Sequence, residues 1–241
     1  MFRFICVCVF LITFLILSIP LFFIEWIVGK FNCKRRDYHS LRIVQWAFNM
    51  ILKITGVDAT YIGEENVPEG AVLFIGNHRS FFDILLTYTR CKNLCGYVAK
   101  KNMEKVPLLS TWMKYLYCLF LDRENPREGI KTILTAIDHI KNGISICIFP
   151  EGTRNRGEEL SMLPFKEGTF KIATKTGCPI VPISLNHTAE IFENQFPRIK
   201  KVKVTIEYGK PIYVNELDAE TKKHLAPYCQ NIIQETINKN A

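Results

Sequence analysis

The chain has 241 residues and a formal net charge of +8, which leaves room for one sizeable α/β domain and a membrane anchor but not for a second globular domain. No zinc-finger or RNA-binding signature accompanies the positive charge, so nucleic acid is set aside in favour of anionic lipid and phosphorylated substrates as partners. The nine cysteines are scattered and odd in number, and Cys91-x3-Cys95 lacks a second ligand pair. They read as reduced thiols, with no metal site, in a domain facing the cytoplasm.

Phe4 to Val28 is apolar except for Glu25. As a helix it would rise about 37 Å at ~1.5 Å per residue, against a hydrocarbon core of ~30 Å. It is too long for the apolar core of a signal peptide, and no Ala-x-Ala-like cleavage site follows it. Lys30, Lys34, Arg35, Arg36 and Arg42 lie beyond the run and only Arg3 before it. With the apolar run this predicts a cell-membrane protein, and the bias puts the rest of the chain, with its catalytic domain, on the cytoplasmic side. Leu41, Val44, Phe48, Ile51, Leu52 and Thr55 then recur at helical spacing up to Gly56, a second helix that lies in the interface or folds back on the first.

From Asp58 onward the pattern is α/β. Strands are predicted at Ala59–Ile62, Ala71–Ile75, Gly96–Ala99, Ile144–Phe149, Ile180–Leu185 and Val202–Glu207. Helices are predicted at Ser80–Arg90, Pro107–Leu116, Arg127–Lys141, Lys166–Thr176 and Thr221–Asn238. The alternation predicts a mostly parallel sheet flanked by helices, with ligands gathering beyond the carboxyl ends of the strands. His78 falls in the turn between the strand Ala71–Ile75 and the following helix, and Asp83 in that helix's first turns. On one continuous helix residues five apart diverge by about 140°. Across a turn they can meet, with the carboxylate holding one ring nitrogen and leaving the other free as a base.

Asn77-His78-Arg79-Ser80-Phe81-Phe82-Asp83 resembles the His-x4-Asp box of the glycerolipid acyltransferases, especially the bacterial 1-acyl-sn-glycerol-3-phosphate acyltransferases. Three further boxes follow in the family's order. Phe120-Leu121-Asp122-Arg123 resembles the second, Phe149-Pro150-Glu151-Gly152-Thr153-Arg154 the third, and Val181-Pro182-Ile183-Ser184-Leu185 the fourth. The resemblance implies a pair of N-terminal membrane-docking helices over residues 1–56, as a full span or a monotopic hairpin, and an acyltransferase domain over residues 57–241. It implies transfer of a fatty acyl group from acyl-CoA or acyl carrier protein to lysophosphatidate, with membrane lipids as surroundings and no cofactor, since a thioester is already activated. His78 would be the general base and Asp83 its orienting partner.

For the acceptor phosphate, Arg154 beside Gly152 can grip oxygens in a planar fork. Arg123 is the second candidate and Lys100 or Lys101 the third. Thr153 belongs to the same third-box block, and Glu151 either orders the acceptor or partners an arginine. Arg79 occupies a variable position of its box and reads as a solvated side chain. Lys166, in Phe165-Lys166-Glu167-Gly168, serves substrate or a helix end. Tyr117 departs from the small residue, often Gly, that opens the family's second box, and a tyrosine there is expected to narrow the acceptor site. Glycerol 3-phosphate or another lysophospholipid is an alternative acceptor. A metal-dependent lipid phosphohydrolase using His78 and Asp83 as ligands is the rival of another class, but it needs a further His/Asp cluster. A non-catalytic lipid-binding scaffold is a third reading, against which the His-x4-Asp box stands.

Overall fold

The computed structural model describes residues 1–122 and 125–241. Helix α1 (Phe2–Phe31) contains the whole apolar run and is long and apolar enough to cross a membrane. One side of it is docked on the rest of the protein. Phe14 and Phe22 both pack against the Trp112 indole, with ring centroids 6.0 and 4.8 Å away. The Trp112 N–H donates to Ser18 Oγ at 2.8 Å, so the one polar atom of a buried tryptophan is satisfied from within the apolar helix. Glu25, the sole acid of the run, is buried with Oε1 3.9 Å from His39 Nδ1 of the next helix. The opposite side of α1 carries Ile5, Val9, Ile12, Ile16, Ile19, Phe23 and Trp26, every one of them more than half exposed.

Asn32 separates α1 from α2 (Cys33–Thr55): its extended backbone breaks the helix, and its side chain caps the next by accepting from Arg35 N at 2.9 Å. Helix α2 buries Leu41, Val44, Ala47 and Ile51, the three-to-four spacing of an amphipathic face. It ends at Gly56, whose left-handed φ of 69° suits a residue without Cβ.

The α/β part holds a seven-stranded sheet in the order β1-β7-β6-β2-β5-β3-β4. The strands are β1 (Asp58–Ile62), β2 (Leu73–Gly76), β3 (Cys95–Lys100), β4 (Leu119–Leu121), β5 (Ser145–Ile148), β6 (Ile180–Asn186) and β7 (Lys203–Tyr208). All neighbours are parallel except β6 and β7. Central strands are buried on both faces, so they read as unbroken apolar runs. Leu73, Ile75, Ile146, Ile148 and Ile180 point into one core layer, beneath α5 (Pro126–Lys141), α6 (Lys171–Thr176) and α8 (Leu225–Lys239). Phe74, Cys147, Val181 and Ile183 point into the other, beneath α2, α3 (Phe82–Tyr88) and α4 (Leu109–Tyr115). Helix α1 packs on this second layer.

Every predicted strand is present within two residues of its expected ends, and the sequence pattern missed the strand β4. Three residues are too few for a period to register. The predicted helix Lys166–Thr176 opens with a 3-10 turn, Glu167–Phe170, before α6. The predicted Thr221–Asn238 helix is split at His224 into α7 (Ala219–Lys223) and α8. Pro227 accounts for the break, because it has no N–H to give the carbonyl four residues back and its ring crowds that carbonyl.

Candidate active site

Strands β2, β5 and β6 are adjacent and parallel, so the segments leaving their carboxyl ends share one rim. Asn77, the residue after β2, replaces the lost ladder with its side chain: Nδ2 donates to Leu185 O at 2.9 Å and Oδ1 accepts from Leu185 N at 2.8 Å. The chain then turns sharply, and His78 and Asp83 meet across the turn with Nδ1 and Oδ2 2.7 Å apart. The same carboxylate oxygen accepts from Arg79 N at 2.7 Å and Ser80 N at 2.8 Å. Asp83 therefore makes the turn as well as facing the imidazole. It is fully buried, and an ionised carboxylate only accepts, so Nδ1 carries the proton and Nε2 presents a lone pair. The ring lies flat against Phe149, centroids 4.3 Å apart at 13°, and keeps 15% of its side chain exposed.

The third box meets the first through its acid. Glu151 Oε1 accepts from His78 N at 2.6 Å and Oε2 from Leu163 N at 2.8 Å. Burial pushes the Glu151 carboxyl up, and the N–H groups of Leu163 and His78 pull it back. Asn155 N adds a bond to His78 O at 2.7 Å. Glu151 is thus a buried brace between two loops rather than the partner of a neighbouring arginine. Gly152 adopts φ 73°, and a Cβ there would stand 2.8 Å from Lys166 Nζ. The glycine lets that ammonium close over the third box, placing Lys166 beside the site. Thr153 is exposed at the rim.

Arg154 lies with Cζ 3.7 Å from the centroid of the Phe81 ring, and Nη1 donates to Glu193 Oε1 at 3.0 Å. Its side chain is 23% exposed. Glu193 sits outside all four boxes, and nothing in its sequence surroundings marks it. Lys100 ends β3 on the outside of the protein, and Lys101 pairs with Glu104 at 2.9 Å. Arg123 lies outside the described residues. Ser80 is fully buried, with its hydroxyl donating to Glu193 at 2.6 Å.

Two expectations are corrected. Arg79 is not solvated: it is 4% exposed, and its guanidinium donates to Glu158 O at 2.7 Å and Gly157 O at 2.9 Å and pairs with Glu159 at 3.3 Å. It clamps the loop that follows the third box. Tyr117 turns towards the anchor helices, its hydroxyl 2.5 Å from Asp37 Oδ2 in α2 and its ring edge-on to His139. Its φ of 59° explains why that position favours glycine. Among the described residues no three His, Cys, Asp or Glu side chains converge as a metal site would require.

Residues 58–186 match the family model described as Acyltransferase, more than half of the chain and a range that holds His78, Asp83, Glu151 and Arg154. The chain belongs to the acyltransferase family. Relatives within it include the 1-acyl-sn-glycerol-3-phosphate acyltransferase of Saccharomyces cerevisiae, 30% identical over 81% of this chain and 66% of that protein. The Escherichia coli protein of the same name is 31% identical over 70% of this chain and 67% of its own length. A probable member from Mycoplasma pneumoniae is 28% identical over 90% and 92%. Against the yeast acyltransferase, then, the chain spans about two thirds of the relative's length. The crystal structure of the 1-acyl-sn-glycerophosphate (LPA) acyltransferase PlsC from Thermotoga maritima superposes with a TM-score of 0.78 at 20% identity, covering 99% of this chain and 97% of that one. The acyltransferase fold therefore extends through α1 and α2.

Proposed function

We propose that this acyltransferase moves a fatty acyl group from an acyl thioester to the 2-hydroxyl of 1-acyl-sn-glycerol 3-phosphate, forming phosphatidate in phospholipid biosynthesis. The observation that carries the reading is a histidine with Nδ1 committed to a buried carboxylate and Nε2 open at the strand rim. His78 Nε2 takes the proton of the acceptor hydroxyl as its oxygen attacks the thioester carbonyl. The carbon–sulfur bond then breaks, and the imidazolium returns the proton to the departing thiolate. Asp83 holds the tautomer and balances the imidazolium while it lasts. The thioester supplies the activation, so the step needs neither a covalent nucleophile nor a cofactor. Arg154, with Lys166 nearby, offers the fixed positive charge for the acceptor's phosphate.

Residues 1–56 anchor the enzyme and residues 57–241 carry the chemistry. The docked inner face of α1 and its continuous apolar outer stripe support a monotopic arrangement, in which the stripe enters one leaflet and the catalytic domain stays on the cytoplasmic side. Lys30, Lys34 and Arg35 then lie where anionic headgroups would meet them.

The test is transfer from labelled acyl-CoA or acyl carrier protein to lysophosphatidate by purified protein in mixed micelles containing EDTA. Transfer that survives chelation and is lost in His78→Ala is the expected result. Phosphate release in place of acyl transfer, or a His78→Ala protein that works as well as wild type, overturns the reading.

A further inference from the structure

Glu193 is the only carboxylate that touches both the first and the third box from outside them among the contacts described above. It lies in the short 3-10 turn Glu193–Gln195 after β6, with its side chain 14% exposed. One oxygen, Oε2, accepts from Ser80 Oγ at 2.6 Å, and Ser80 Oγ in turn accepts from Phe82 N at 3.0 Å. The other, Oε1, accepts from Phe81 N at 2.8 Å and from Arg154 Nη1 at 3.0 Å. The turn bearing the carboxylate is itself held against the anchor. Phe192 stacks on Phe4 of α1 with centroids 5.6 Å apart at 16°, and Phe196 packs edge-on to both rings.

We infer that Glu193 is a positioning residue for acceptor recognition: it fixes the Arg154 guanidinium over Phe81 and locks it to the turn that carries the His78–Asp83 pair. An arginine side chain has many rotamers to lose on binding an anion. A carboxylate on one edge of the fork and an aromatic ring under its face remove most of that freedom beforehand. One guanidinium has five N–H donors in a plane, so engaging Nη1 with Glu193 leaves the remaining donors for a phosphate. The same carboxylate ties the distance between phosphate and base to the first box, because Ser80 and Phe81 are two and three residues from His78. The inference rests on the proposed use of Arg154 to hold a phosphate-bearing acceptor.

Glu193→Gln is the decisive variant. Its carboxamide oxygen can still accept from Phe81 N in the first-box turn, but Arg154 loses its charged partner. With the full-length enzyme, KM for lysophosphatidate should rise about tenfold, the scale of one charge-assisted hydrogen bond. Turnover number should stay within about threefold, and kinetics with neutral 1-monoacylglycerol should not change. On an Arg154→Ala background the same substitution should leave KM for lysophosphatidate where Arg154→Ala alone puts it. Glu193→Asp, which keeps the charge, should recover part of the affinity. The thermal shift given by lysophosphatidate, absent with 1-monoacylglycerol, reads the same binding without turnover and should shrink in Glu193→Gln. Equal losses with both acceptors, losses that merely follow the folded fraction, or an undiminished effect without Arg154 would overturn the inference. Wild-type protein that binds lysophosphatidate but transfers nothing to it would instead sink the proposed reaction, leaving the binding comparison to judge Glu193.

Discussion

In the proposed mechanism His78 and Asp83 act as one unit, because a single carboxylate oxygen holds the imidazole and both N–H groups of the turn. His78→Ala should lower turnover by about 10²–10⁴-fold, the usual scale for a general base. Asp83→Asn can present an N–H to the ring or to the turn, so it should be similarly severe. The double variant should be little worse than His78→Ala alone, and single-turnover kinetics that show simple addition of the two losses would break this account. Glu151 makes a different prediction, about stability. Both its oxygens accept from backbone N–H groups, so Glu151→Gln sets an N–H against a donor and should cost about 1–3 kcal/mol. Because burial raises this carboxyl, the native chain holds the proton more tightly than the unfolded chain above an ordinary carboxylate pKa of about 4.3. Wild-type stability from this group therefore falls as pH rises through that window, and the measured loss in Glu151→Gln should be larger near about pH 4 than at about pH 7. Urea unfolding in detergent at the two pH values checks the sign; a loss that grows with pH would mean burial does not dominate.

At the scale of elements, the α1–α2 pair is tied to the catalytic domain by polar contacts as well as by area. Tyr117, just before β4, donates to Asp37 of α2, which Arg36 also engages at 2.6 Å. Burial, with the Asp37 carboxylate beside it, pushes the Tyr117 hydroxyl up to about 12, so the donor stays protonated through the working range. Asp37 is 1% exposed, and losing a donor to a buried acceptor costs about 1–3 kcal/mol. Tyr117→Phe should accordingly lower Tm in detergent by several degrees, at about 2–4 °C per kcal/mol for a chain of this size. An unchanged Tm would show that Arg36 alone satisfies Asp37. Tyr117→Gly is the informative companion, since it relieves the left-handed backbone while losing the same bond.

For the molecule as a whole, the proposed membrane contact rests on the outer stripe of α1. Ile12 and Ile16 are 59% and 57% exposed and face away from the packed side, so charge can be placed there without opening the core. Ile12→Glu with Ile16→Glu should shift the protein from vesicles to the soluble fraction, because a charge buried in lipid costs on the order of 3 kcal/mol. Turnover on acceptor embedded in vesicles should fall, while turnover on micellar acceptor persists. A variant that still sediments with vesicles as wild type does would remove the stripe from the membrane. Deleting α1 outright is a poorer test, since it would strip Phe14 and Phe22 from Trp112 and Phe4 from Phe192.

Some of this was written in the sequence because it depends on neighbours along the chain. The apolar run of α1, the helical spacing of α2, the doubly buried central strands and the turn that lets His78 reach Asp83 each follow from local periodicity or from a few consecutive residues. The third box likewise singled out Glu151 and Arg154 as candidates. Their partners were not legible, because they arrive from distant parts of the chain. Glu151 braces His78 to Leu163, and Glu193, with no motif around it, closes on Ser80, Phe81 and Arg154 only after β2, β5 and β6 align their ends. The same folding buries Arg79 on the carbonyls of Gly157 and Glu158 and sends Tyr117 to Asp37. Those side chains are polar in isolation, and only the tertiary structure, by removing water and supplying fixed acceptors, decided where they would pack.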